Sequence, residues 1–500
     1  MPASARAGAL IAACSLALIA CSGGGGDARD QQPTSTSLRN LDNRDGTLDQ
    51  RLARMEQAWI ASANTPDRPA ARQRLKDVAW TNTEPFQIRS RAVQLLADDP
   101  DPAGSDDTRD MVKLMLPREQ SRGMVAMLCQ LCVDRNWQDA TPALVRSYSR
   151  IVDAVGEQDR SERWAIGQLN PGRSLFDIAF GVFLDPRTDP GPPGANFDQR
   201  TRADAWTLMS RLDPSGRERR RVLATASSGS PDVRLMQRCA SELAALPNTP
   251  AEMEWATSLM SERDEASTAW RREVSAATSR LSDAQRDNLA LRHLEPIRWA
   301  AMNEPALLNQ SRDELISGLT ARLAGRPSFQ RRVERNEGGD LRPESLAENA
   351  PHLSWGDLLA IHVLDRQLDN PAFVDQLFAY VDQDRRDRTT EYGGIIMDSA
   401  RLGGIRPILF VPRTAAREGD YAFPEPADMT RQGDRAMGVF HFHAAELEML
   451  EHTGPSLGDL RYAAASGRNC LVFTSLRERR LAVDYYQGNG VTIDLGEIPR

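Results

Sequence analysis

Three of the chain's six histidines, His441, His443 and His452, fall within twelve residues. The first two sit in the apolar run Gly438-Val439-Phe440-His441-Phe442-His443. Side chains two apart on a strand share a face. The run therefore predicts Val439, His441 and His443 on one side, with Phe440 and Phe442 on the other. Two imidazoles side by side on a strand are half of a zinc site, although an exposed histidine pair on a half-buried strand has the same pattern. Downstream, Ser456-Leu457-Gly458-Asp459 has an acid three residues after a serine. That is a helix capping box, and a helix start is a firm place from which to project a ligand. About fifty residues before the histidine pair, Glu391 opens the apolar stretch Tyr392-Gly393-Gly394-Ile395-Ile396. Taken singly, Glu391 reads as a strand-end acid in solvent.

The three pieces in this order, Glu, then Gly-x-x-His-x-His, then Ser-x-x-Asp, resemble the JAMM (MPN+/JAB) metalloprotease domain. The resemblance covers roughly residues 370–497, about a quarter of the chain. It includes a helix-like stretch at 373–384 and strand-like stretches at 470–474, 481–486 and 491–495. It implies that His441, His443 and Asp459 are zinc ligands, with a water in the fourth position. Zinc would lower the pKa of that water to about 7. Glu391 would be the general base, and Ser456 would donate to the oxyanion of the tetrahedral intermediate. The implied enzyme is a peptide or isopeptide amide hydrolase.

The sequence departs from the family between His443 and Ser456. Twelve residues intervene, Ala444 through Pro455, more than is usual there, and Ala444 stands where a proline is expected. The extra residues read as one or two helical turns carrying Glu446 and His452. Either could replace Asp459 as third ligand, although His452 also reads as a solvent-facing neighbour. The longer spacing is what an inactive, binding or scaffold version of the domain would tolerate.

The amino terminus bears on location. Arg6 precedes an apolar run from Ala7 to Ala20, and Cys21 follows. The run is too short to span a bilayer and has the form of a secretory signal. Leu18-Ile19-Ala20-Cys21 resembles the bacterial lipobox, which implies lipidation of Cys21 and a membrane anchor. Ser22 beside it is compatible with outer-membrane sorting. The expected location is the bacterial cell envelope, at the periplasmic face of the outer membrane. The polar stretch to residue 45 is expected to be a flexible tether.

The formal net charge of −8 argues against a general nucleic-acid binder. The expected partner is a peptide or protein substrate, with a cell-wall peptide among the candidates, and the cofactor is zinc. Apolar residues at three- and four-residue spacing predict helix after helix from 46 to about 340. Examples are 46–63, 85–97, 108–116, 118–133, 141–155, 174–184, 202–212, 233–246 and 250–260, with prolines at 99–102 read as a break. Two similar helix starts, at 86–89 and 231–234, resemble HEAT-type repeats; a compact helical domain without repeats fits as well. Cys129-x-x-Cys132 reads as two packed thiols on one helix, or as a disulfide in an oxidising compartment. The expected organisation is a signal at 1–20, a tether at 21–45, an all-α helical array at 46–340 and a linker at 341–354. A smaller JAMM-like α/β domain with a mixed sheet flanked by helices would occupy 355–500.

Overall fold

The computed structural model describes residues 38–150, 156–186, 196–227, 229–328, 343–399, 403–444, 453–477 and 479–500. Cys21 and its signal, Glu446 and His452 lie outside the described residues, as does the expected helix in the insert.

The chain is mostly helical and ends in a six-stranded mixed sheet. It divides into two compact units, one ending at Ala205 and one running from Trp206 to Arg500. This places the helices after residue 206 in the same unit as the sheet, whereas the linker was expected at 341–354.

In the first unit, helix Leu48–Ala61 begins at a capping box between Thr47 and Gln50 and buries Met55, Ala58 and Trp59. Helix Phe86–Ala97 buries Ile88, Val93 and Leu96. The prolines at 99–102 do not simply interrupt helices. Pro102 is the first residue of helix Pro102–Met115, and the Asp101 side chain caps it. Proline suits that position because its missing amide would have no intrahelical partner. Helix Arg122–Asp134 carries Cys129 and Cys132 as buried free thiols. Burial pushes both well above the ordinary cysteine range, so neither forms a nucleophilic thiolate readily.

In the second unit, the helix expected over 233–246 is shorter. It runs from Pro231 to Arg238, then opens into a π-helical turn at Cys239–Leu243. Ala244 ends that turn in the left-handed region, with φ 59°. Further on, helices Trp355–Gln367 and Pro371–Asp384 lead into the strands.

The strands are β1 (Gly393–Ser399), β2 (Gly404–Phe410), β3 (Gly438–His443), β4 (Cys470–Arg477), β5 (Arg480–Tyr486) and β6 (Thr492–Pro499). They lie in the order β2-β1-β3-β4-β5-β6. Only β3 and β4 are parallel. Helix Leu457–Ser466 makes the crossover that a parallel pair requires. β2 is absent from the sequence reading. Its residues Gly404-Ile-Arg-Pro-Ile carry a proline, and it lies on an edge, where proline is tolerated.

One sheet face packs Ile395, Val439, Cys470, Val472 and Tyr486 against Met429 and Ala463 of neighbouring helices. The other gathers Phe440, Phe442 and Phe473, with ring centroids 5.3 to 5.9 Å apart. The alternation expected for the His-x-His run is therefore present. Gly393 and Gly394 are needed for close approach between strands. A Cβ on Gly394 would meet the Ile408 carbonyl oxygen at 1.9 Å, and one on Gly393 the Phe440 carbonyl oxygen at 2.6 Å.

Glu344 and Asn349 of the expected linker, and Pro327 from the expected helical array, also border the sheet. The β6 amides of Asp494 and Glu497 donate to the carbonyls of Glu344 and Pro327, each at 2.8 Å. Asn349 Nδ2 donates to the Thr492 carbonyl at 2.9 Å. These contacts pair an edge that would otherwise be open.

Candidate functional site

The five residues singled out above come from three elements around the carboxyl end of β3. His441 pairs in register with Gly393 on β1 and Val472 on β4. Extending the antiparallel register of β1 and β3 sets Glu391 across from His443. The Phe442 amide continues that ladder, donating to the Tyr392 carbonyl at 3.0 Å. Glu391 is also tied down by its own amide, which donates to the Ala422 carbonyl at 3.1 Å.

Ser456 is the N-cap of helix Leu457–Ser466. Its hydroxyl accepts the Asp459 amide at 3.2 Å, and Asp459 Oδ2 accepts the Ser456 amide at 2.7 Å. The capping box is real. It leaves the Asp459 carboxylate fixed by one oxygen while the group faces the imidazoles.

The Nε2 atoms of His441 and His443 lie 3.2 Å apart. Asp459 Oδ1 is 3.3 Å from His441 Nε2, and Oδ2 is 3.6 Å from His443 Nε2. Glu391 joins the two histidines in a group whose donor atoms all lie within 4.8 Å of one another, close enough to hold a metal ion. The histidine side chains are 7 % and 10 % exposed and that of Asp459 is 20 % exposed. Among the described residues the two imidazoles are therefore nearly buried, and the carboxylate keeps a little contact with solvent.

The electrostatics follow from this packing. Burial alone would raise the Asp459 carboxyl, but the two imidazoles outweigh it and hold the group well below the usual range. Burial would lower His441; Asp459, with Glu391 and Asp384, reverses this and raises it. Burial raises Glu391, helped by the charges of Asp459 and Asp420 and opposed by the histidines. A carboxylate so placed is a better proton acceptor than one in water.

The structure thus brings together Glu391, His441, His443 and Asp459, with Ser456 at the cap beside them. Two acids near the site escaped the sequence reading. Asp384 is buried with Tyr392 on its carboxylate, and Asp420 acts on both Asp384 and Glu391 through its charge. Asp384 had one readable signal, as an acid in the last turn of a predicted helix, where the helix dipole disfavours negative charge.

No family model, curated protein or solved structure matches this chain. Among the described residues, no helix is long and apolar enough to cross a membrane.

Proposed function

We propose that His441, His443 and Asp459 bind a zinc ion and that the second unit is a JAMM-like metallohydrolase of peptide or isopeptide amides. The observation that carries this reading is the set of donor separations, 3.2, 3.3 and 3.6 Å. Three ligand atoms bonded at about 2.05 Å with tetrahedral angles stand about 3.3 Å apart, a spacing close to these separations, although the two carboxylate distances are to different oxygens. The two imidazole nitrogens, 3.2 Å apart, can share one hydrogen between them without a metal, or turn both lone pairs to a common cation.

A zinc ion held by three protein ligands supplies a Lewis acid and lowers the pKa of a coordinated water to about 7. The chain's own residues would do the rest. Glu391, raised by burial, takes the proton from the attacking water and delivers it to the leaving amine. The Ser456 hydroxyl accepts the Asp459 amide through a lone pair, which leaves its hydrogen to donate to the developing oxyanion. Lipidation at Cys21 would tether the protein to the envelope, and the helical array, HEAT-like in this reading, would present a protein tail or cell-wall peptide.

The second reading is an envelope-anchored scaffold whose JAMM-like fold is inactive, favoured by the long spacing between His443 and Ser456. Metal analysis of the full chain separates the two. The hydrolase reading expects about one zinc per chain, lost in His443→Ala and retained in Glu391→Gln while hydrolysis disappears. A wild-type protein that stays metal-free after dialysis against zinc would leave only the scaffold.

A further inference from the structure

One buried acid beside the site has no part in the chemistry just described. Asp384 ends helix Pro371–Asp384 and is 1 % exposed. Its Oδ1 accepts the Tyr392 amide at 3.0 Å, while its Oδ2 has no hydrogen-bond partner among the described residues. An unsatisfied oxygen in such a place costs stability, so a reason for keeping the acid is expected.

Tyr392 supplies that reason. It lies between Glu391 and the first residue of β1, and its two backbone groups are both engaged. The amide is held by Asp384, and the carbonyl accepts the amide of Phe442, the residue between His441 and His443. The Tyr392 hydroxyl donates to Asp387 at 3.0 Å, and Asp387 in turn pairs with Arg417 at 2.7 Å. The backbone that carries Glu391 is thus clamped between a helix end, a strand and a loop. Of the clamps on the backbone itself, the one to Asp384 is made by a side chain, so a substitution can remove it without altering the sheet ladder.

We propose that Asp384 is a positioning residue, which through the Tyr392 amide sets the Glu391 carboxylate relative to His441 and His443. The inference rests on the metallohydrolase reading of the site. Burial, with the charges of Asp420 and Glu391, pushes the Asp384 carboxyl up to about 8. Near neutral pH it therefore holds the amide without adding a full negative charge next to the base.

The test uses the full chain loaded with cobalt(II) in place of zinc and reads the pH midpoint of the visible absorption. That midpoint senses charges near the ion, whereas a residue that only stabilises the fold does not move it. Glu391→Gln sets the scale, moving the midpoint by about one pH unit. Asp384→Asn keeps an oxygen to accept the Tyr392 amide and is expected within ~0.3 unit of wild type. Asp384→Ala removes the clamp and is expected to move the midpoint in the direction of Glu391→Gln by at least ~0.5 unit, at unchanged cobalt content. Should the alanine chain not fold, Asp384→Glu, whose longer arm displaces the amide, is expected to shift the midpoint the same way. A cobalt-loaded alanine or glutamate variant with the wild-type midpoint overturns the positioning role alone, as does loss of cobalt in a folded one. A wild type that binds no cobalt, or a silent Glu391→Gln, instead removes the hydrolase reading, and the inference with it.

Discussion

Among the described residues, the second unit contains two histidine–aspartate clusters, one between helices and one at a strand end, and they are built to opposite ends. His293 lies 2.8 Å from Asp357 with both side chains sealed from solvent, at 0 % and 1 % exposed. The polar groups there are extensively paired. Asp357 Oδ1 accepts two guanidinium nitrogens of Arg292, His293 Nε2 and Gln487 Nε2. Its Oδ2 accepts the amide and hydroxyl of Ser354. His293 Nδ1 takes the Ala290 amide, which fixes the tautomer with the proton on Nε2. Burial lowers His293 and keeps it neutral, while Arg292 and His293 overcome burial to keep Asp357 ionised. In the pair at His441 and Asp459, one carboxylate instead serves two imidazoles whose Nε2 atoms face each other. The same residue types make a structural joint where every lone pair is occupied, and a candidate ligand site where they converge on a common point.

The strongest way to break this comparison is to remove both carboxylates and compare the costs. Asp357→Ala leaves a buried guanidinium, an imidazole and an amide without an acceptor. Loss of one partner from a buried charge pair costs roughly 3–5 kcal/mol, so chemical denaturation of the variant should show a loss of that order. Asp459→Ala, measured in chelator, should cost less than that, because its side chain is 20 % exposed and the two imidazole nitrogens it leaves can still pair with each other. Equal losses would mean that the second cluster is also a structural joint.

A smaller effect sharpens the comparison through pH. In metal-free protein the Asp384 carboxyl titrates at about 8 in the folded state, against about 3.9 in an unfolded chain. Between those values the unfolded chain releases a proton that the folded chain keeps. Stability from this group is therefore complete below about pH 4 and falls as pH rises towards 8, at no more than ~1.4 kcal/mol per unit. Asp384→Asn abolishes that slope. In chelator the variant should exceed wild type by on the order of 2 kcal/mol at pH 8 and match it at pH 4. A constant offset at both pH values would show that the acid is ionised throughout. The Asp357 cluster predicts the opposite trend: its carboxyl is depressed, so its contribution is lost only as pH falls below about 4.

How much of this was legible beforehand depended on how local the signal was. The alternation of Val439, His441 and His443 against Phe440 and Phe442 needs only the two-residue period of a strand, and the sheet faces follow it. The capping box at Ser456 is equally local. The convergence of His443 with Asp459, sixteen positions away in the chain, was readable only as a family resemblance, because nothing local states that a loop returns to the strand end. The polar joint at Asp357 was not legible at all. Its partners Arg292, His293 and Gln487 lie up to 130 residues away and look like ordinary surface residues in one dimension. The helix at 202–212 is longer in the structure, beginning at Phe197, since helix starts depend on caps more than on the apolar stripe.

The smallest effect on stability falls on Ser456, where a structural role and a chemical one occupy the same oxygen. As an N-cap, its replacement by alanine should cost about 1 kcal/mol, whereas glycine, which is also tolerated at N-caps, should cost only a few tenths. Neither substitute carries a hydroxyl. The backbone amide of residue 456 still donates to Asp459 Oδ2 in both, so metal content should match wild type. If the hydroxyl stabilises the oxyanion, both variants should lose amide hydrolysis by about 10²–10³-fold, despite their different stabilities. If activity instead falls in Ser456→Ala and survives in Ser456→Gly, the serine serves only to start the helix that delivers Asp459. The capping box then belongs, with the Asp357 joint, to the scaffold rather than to the chemistry.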